Sequence, residues 1–405
     1  MHERLGGSKL IAVPGIAAAS IVGITGAVLG SSWMLSMTVP GISSTVYYIH
    51  PKLMTFGFVY GFITSVALVL VPRFRNVDPT DQKYLKMSTL IVYQIGVLLS
   101  SVWPPHSIPW ALGYIIMLSS TSLIAYYIVR LLYRSYGPLA AADPLISLSS
   151  SLIPFTILLT MVGELRGYSS FAQAGILLLI LYGVAGSMIF GIGIKTTHFR
   201  IELKVRRRLW KLLFPLLGLS ASVSSLAFLF DDLTLELAAS ASYATSSVLW
   251  IYSTDGLRRV KGGGQFNKMN ERDRVRYLYF SAVFVIGCIW LIAGSLTSLL
   301  ATVFSSFRDP VSYGLRDAFI HSVGVGFVGN MIIAYAPILL PGILSARMPY
   351  QGLSLYPVLL LNSGNLLRVV WFVIGSPMLV GVVLLSVALY LSSTLLILVM
   401  MHQLR

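Results

Sequence analysis

Tyr47-Tyr48-Ile49-His50-Pro51-Lys52-Leu53-Met54-Thr55-Phe56-Gly57-Phe58 opens an apolar run that continues to Val71-Pro72. On a helical wheel of about 100° per residue, His50, Met54, Gly57 and Gly61 fall on one face, so a histidine stands over two positions without side chains. That face offers room for a flat, bulky group. Histidine is rare inside membrane spans, and an ionisable residue there marks a functional site and calls for a partner.

Working outward, the composition fixes the solvent. Hydrophobic residues make up 56% of the 405 and charged residues 11%, against about 25% charged in a soluble globular protein. With a mean hydropathy of +0.82, the chain reads as a multi-pass protein of the cell membrane, in contact with lipid. The net charge of +15 would suggest nucleic acid in a soluble protein, but cytoplasmic loops of a membrane protein produce the same excess, and no nucleic-acid partner is expected. The single cysteine, Cys288, lies in an apolar run and reads as packing, which leaves no disulfide framework or cysteine-ligated cluster within the chain. The N-terminal segment Met1 to Lys9 is short and weakly basic, and the run after it reads as a retained anchor rather than a signal peptide.

A bilayer core needs about 20 apolar residues per helix. Twelve runs qualify: 11–36, 46–72, 84–103, 108–133, 147–165, 169–194, 209–230, 233–253, 276–304, 314–341, 352–375 and 378–401. All but five of the 29 Lys and Arg residues fall on one side of the resulting topology, the exceptions being Lys52, Arg166, Arg308, Arg316 and Arg368. Both termini are therefore expected in the cytoplasm. No soluble domain is inserted, so residues 1–405 read as one transmembrane domain. Gly262-Gly263-Gly264 follows no strand and lacks a P-loop pattern.

Of six histidines, only His50 and His321 lie in spans. His321 belongs to Arg316-Asp317-Ala318-Phe319-Ile320-His321-Ser322-Val323-Gly324-Val325-Gly326-Phe327 at the start of the tenth run. Both even-numbered runs travel inward, which puts His50 and His321 at a similar depth, roughly 6 to 10 Å below the outer face at 1.5 Å per residue. Each is followed by glycines, Gly57 on one side and Gly324 on the other. Two neutral imidazoles from two helices suit a six-coordinate iron porphyrin. Arg368 in the eleventh run lies near the same level, where an arginine needs an anionic partner; haem propionates would supply it, and Asp317 is the competing partner. Lys52 reads as a cation snorkelling at the helix mouth, and Glu164 as a solvated helix end or a proton acceptor for a quinol. No further span histidine is present to build a dioxygen- or nitric-oxide-reducing metal centre.

At these residues the chain resembles the haem–copper oxidase superfamily, and more closely the NnrS family. In the superfamily the second helix carries a haem-ligating histidine with methionine four residues on and a Val-Pro near its end, as with His50, Met54 and Val71-Pro72 here. The tenth helix carries the opposing ligand with a proline twenty residues on, as with His321 and Pro341. Asp317 to His321 followed by Ala336-Pro337-Ile338-Leu339-Leu340-Pro341 is similar to the NnrS pattern. The chain departs from the oxidases in having Phe319 where a second tenth-helix histidine stands and in lacking the copper ligands, and from NnrS in having Lys52 for a histidine.

The resemblance implies an all-α, twelve-helix bundle like oxidase subunit I. It also implies one low-spin b-type haem on His50 and His321, lined by Met54, Gly57 and Gly324, with Arg368 on a propionate. The expected role is an electron relay near the outer face of a respiratory complex. Its partners would be a cytochrome b and Rieske pair, an extracytoplasmic cytochrome, or quinol. An NnrS-like protein of nitric-oxide stress or metal handling, a cofactor-free secondary transporter and a structural anchor are the competing readings.

Overall fold

A computed structural model describes residues 2–36, 46–134, 142–167, 170–200, 207–257, 270–306, 311–344 and 355–374. Among them the protein is all helix, without a strand. The helices are α1 (His2–Ser36), α2 (Val46–Lys52), α3 (Gly61–Phe74), α4 (Lys83–Val102), α5 (Ile108–Arg134), α6 (Asp143–Arg166), α7 (Ser170–Leu178), α8 (Ser187–Arg200), α9 (Arg207–Phe230), α10 (Leu233–Ser253), α11 (Glu271–Ser306), α12 (Val311–His321), α13 (Asn330–Leu344) and α14 (Leu355–Ile374). Nine helical stretches among the described residues are long and apolar enough to cross a membrane.

Among the described residues the expected runs differ from these at one place. The run at 233–253 forms α10 but is not apolar enough to qualify, because of its serines and threonines. Ser242, Thr245, Ser246 and Ser247 turn their hydroxyls back onto carbonyls four residues earlier, which satisfies them without a partner helix. The eleventh run is described as the 20-residue helix α14, Leu355–Ile374. The twelfth, 378–401, lies outside the described residues.

Three stretches depart from regular α-helix. Leu53–Tyr60 (π1), Leu179–Gly186 (π2) and Ser322–Gly329 (π3) are π-helical and join α2 to α3, α7 to α8 and α12 to α13. A π turn bonds residue i to i+5 and leaves carbonyls poorly paired, which an apolar environment penalises unless side chains reach them. They do. The Tyr93 hydroxyl donates to Phe56 O at 2.7 Å and Gln94 Nε2 to Gly57 O at 2.9 Å. Ser149 donates to Val184 O at 2.7 Å, and Asn330 Nδ2 to Gly326 O at 2.5 Å.

The three π segments meet at the middle of the bundle, π2 touching both π1 and π3. Around them a unit of helices recurs. A leading helix (α1, α6 or α11) lies along each π-bearing span, a following helix (α4, α9 or α14) flanks it, and α5 and α10 carry the chain to the next leading helix. The sequence shows no repeat of fixed short period, but the packing repeats every four runs. Small residues make the close approaches: a side chain on Gly96 would meet the Gly113 carbonyl at 2.9 Å, and one on Gly175 the Ser224 carbonyl at 2.9 Å.

Candidate functional site

His50 is the fifth residue of α2 and His321 the last of α12, so each stands at the mouth of a π segment, a common setting for functional residues. The His50 ring is fixed from outside its own helix: Nδ1 lies 2.7 Å from Gly26 O of α1. Gly30 lies one turn along the same face of α1, and a Cβ there would stand 2.5 Å from His50 Nδ1. His321 is fixed from within, Nδ1 lying 2.9 Å from Asp317 O one turn earlier. A carbonyl only accepts, so in both rings Nδ1 carries the hydrogen and Nε2 keeps its lone pair. Neither Nε2 makes a hydrogen bond to any described residue.

This is the arrangement of metal-binding imidazoles, in which the outer nitrogen is tied to a carbonyl or carboxylate and the inner one faces the ion. His50 lies within electrostatic reach of His321, Arg368 and Asp317. Both rings are only partly buried, His321 with 17% of its side chain accessible and Asp317 with 27%. An Nε2 without a hydrogen bond to the described residues on each of two half-buried rings is a donor set that fits a six-coordinate porphyrin iron. Among the described residues no three His, Cys, Asp or Glu side chains gather as an ion site.

Arg368 Nη1 and Nη2 sit 2.6 and 2.7 Å from Asp317 Oδ2 and Oδ1. The charge of Arg368, which the sequence reading gave first to a propionate, is thus met by a carboxylate of the protein. That carboxylate also stands 3.4 Å from His321 Nδ1. Arg368, Asp317 and His321 form one chain from α14 to the candidate ligand.

The glycines divide. A side chain on Gly57 would collide with Val22, and one on Gly61 with Gln94. Their bareness admits the close approach of α1 and α4. Gly324 differs, since a Cβ there meets only Leu181 at 3.6 Å. Met54 leans on α1, its thioether 3.1 Å from where a Gly26 side chain would begin.

Lys52 does not snorkel, and Glu164 is not a solvated helix end. They pair at 2.8 Å with side chains 10% and 11% accessible. Lys52 Nζ also donates to Ser100 O, and Trp110 Nε1 to Glu164. Reading in sequence also missed Glu236, 2% accessible, which takes Thr302 at 2.9 Å and Arg316 at 3.4 Å. Asp143 was missed too; it sits between Arg75 and Lys195 at 3.3 and 3.1 Å. The signal available in each case was an ionisable residue at the edge of an apolar run.

The family model described as Domain of unknown function (DUF8744) matches residues 9–402, nearly the whole chain. The chain belongs to the DUF8744 family. No curated protein matches it significantly. In this DUF8744 chain the match covers both histidines, all three π segments and every helix of the central packing.

Proposed function

We propose that this DUF8744 protein is a multi-pass subunit of the cell membrane, termini in the cytoplasm, that holds one b-type haem between His50 and His321 and relays electrons near the outer face. The observation that carries the reading is the matched pair of imidazoles, each with Nδ1 committed to a carbonyl and Nε2 bare, within electrostatic reach of each other. When bound, the haem supplies a one-electron ferric–ferrous couple. The protein's part is to orient the rings through Gly26 and Asp317, and to keep the Asp317 carboxylate anchored on Arg368. Asp317 beside His321 Nδ1 makes that imidazole the more electron-rich ligand. A guanidinium carries five N–H donors in a fork, enough in number for a carboxylate of the protein and one of the ligand to share it.

The resemblance to the haem–copper oxidase and NnrS families supports the same pocket. Donor and acceptor on this reading are a neighbouring cytochrome b and Rieske pair, membrane quinol or an extracytoplasmic cytochrome. Against a secondary transporter, the carboxylates Asp317, Glu236, Glu164 and Asp143 each sit on a cation, a poor arrangement for exchanging a coupling proton.

The test is the visible spectrum of the purified, dithionite-reduced protein. A sharp low-spin α-band, abolished in His50→Ala and in His321→Ala, is the expected result. A folded, colourless wild-type protein refutes the proposal.

A further inference from the structure

A second site lies on the outside of the bundle. At the end of α5 a laterally open groove of about 520 Å³ runs between α5 and α6, lined by Ala125, Tyr126, Arg130, Tyr133, Arg134 and Ser151. Arg130 and Arg134 are one turn apart and both exposed. Among the described residues neither pairs with a carboxylate. Five buried or half-buried cations of the bundle differ: Lys52, Arg75, Lys195, Arg316 and Arg368 each sit on an Asp or Glu. The acidic residue nearest in sequence, Asp143, is already held between Arg75 and Lys195. Arg130 leans on Tyr126 instead, 5.8 Å from its ring centroid and with Nη1 3.4 Å from its hydroxyl.

We propose that this groove binds an anionic phospholipid, its phosphate held by Arg130 and Arg134. The chemistry follows from the lining. Two guanidinium groups at (i, i+4) present planar forks that suit phosphate oxygens. Tyr126 and Tyr133 are amphipathic rings of the kind found at headgroup level. Ala125 and Val129 leave an apolar floor on which an acyl chain can lie. The groove shares its end of the bundle with Arg75, whose Nη2 donates to Leu132 O of α5. The distribution of basic residues assigns that end to the cytoplasmic leaflet, where anionic lipids concentrate. The site is independent of the haem reading.

The experiment is native mass spectrometry of the full chain in detergent, titrated separately with phosphatidylglycerol, with phosphatidylcholine of the same acyl chains, and with inorganic phosphate. Phosphatidylglycerol is expected to be retained roughly tenfold over phosphatidylcholine, from two basic residues near a phosphate. The preference should vanish in R130Q/R134Q and persist in the control K211Q. Equal retention of the two lipids, a preference unchanged in the double variant, or retention of inorganic phosphate alone at the same affinity overturns the proposal. Should the double variant not fold, R130Q and R134Q singly decide: a reduced preference in each supports the site, and an unchanged one in each removes it.

Discussion

His50 and His321 are held by the same bond made in two ways. The His50 ring is clasped by another helix, through Gly26 O, with Gly30 pressed against its ring. The His321 ring is clasped by its own helix, through Asp317 O, and its surroundings are charged rather than close-packed. Position 50 therefore depends on how near α1 comes, position 321 on a bond within α12, which the Asp317–Arg368 ion pair ties to α14. The third π segment teaches the converse. π2 has the same irregular backbone but carries Tyr182, stacked on Tyr243 and on Phe319 with centroids at 5.1 and 5.9 Å, and no histidine. The π turn alone does not make a ligand site.

The sharpest way to break the asymmetry is at the charged side. Asp317→Asn leaves Arg368, 5% accessible, buried beside a neutral amide, and losing one partner of a buried pair costs about 3 kcal/mol. A large fall in the thermal unfolding midpoint in detergent is expected. The backbone bond to His321 survives, so any pigment should be retained; an unchanged midpoint would show that the pair does not hold α12 to α14.

Next in size is the packed side. Gly30→Leu drives a side chain into the His50 ring, and overpacking of this kind costs about 1–3 kcal/mol. Haem occupancy should fall with it, read as absorbance per polypeptide. Retention of full pigment would mean that α1 does not fix the ring. The smallest effects separate the two glycines: Gly57→Ala meets Val22 and is expected to destabilise by about 1 kcal/mol, whereas Gly324→Ala makes an ordinary contact and should stay within about 0.5 kcal/mol. Equal midpoints for the two variants would erase the distinction drawn between them.

Much of this was legible in the chain. Hydropathy gave the helical, membrane-crossing character, and the scarcity of span histidines singled out His50 and His321. Asp317 was visible as a partner for Arg368, but the strength of that pair depends on α12 and α14 meeting, which is tertiary information. Lys52 and Glu164 are 112 residues apart, and nothing local in either announces the other. The π segments were hidden for a different reason, since they break the periodicity by which helices are recognised. Their partners left a trace all the same: Tyr93-Gln94, Ser149 and Asn330 are polar groups in apolar runs, each placed to reach a carbonyl that a regular helix would have used itself.

The recurrence of one packing unit also bears on where the polypeptide can be interrupted. Its seams fall after α5 and after α10, yet across them α5 packs on α6 and α10 on α11 as extensively as helices do within a unit. A break at either seam would sever covalent continuity but leave those faces in contact, so the severed parts should stay together as one complex held by packing alone.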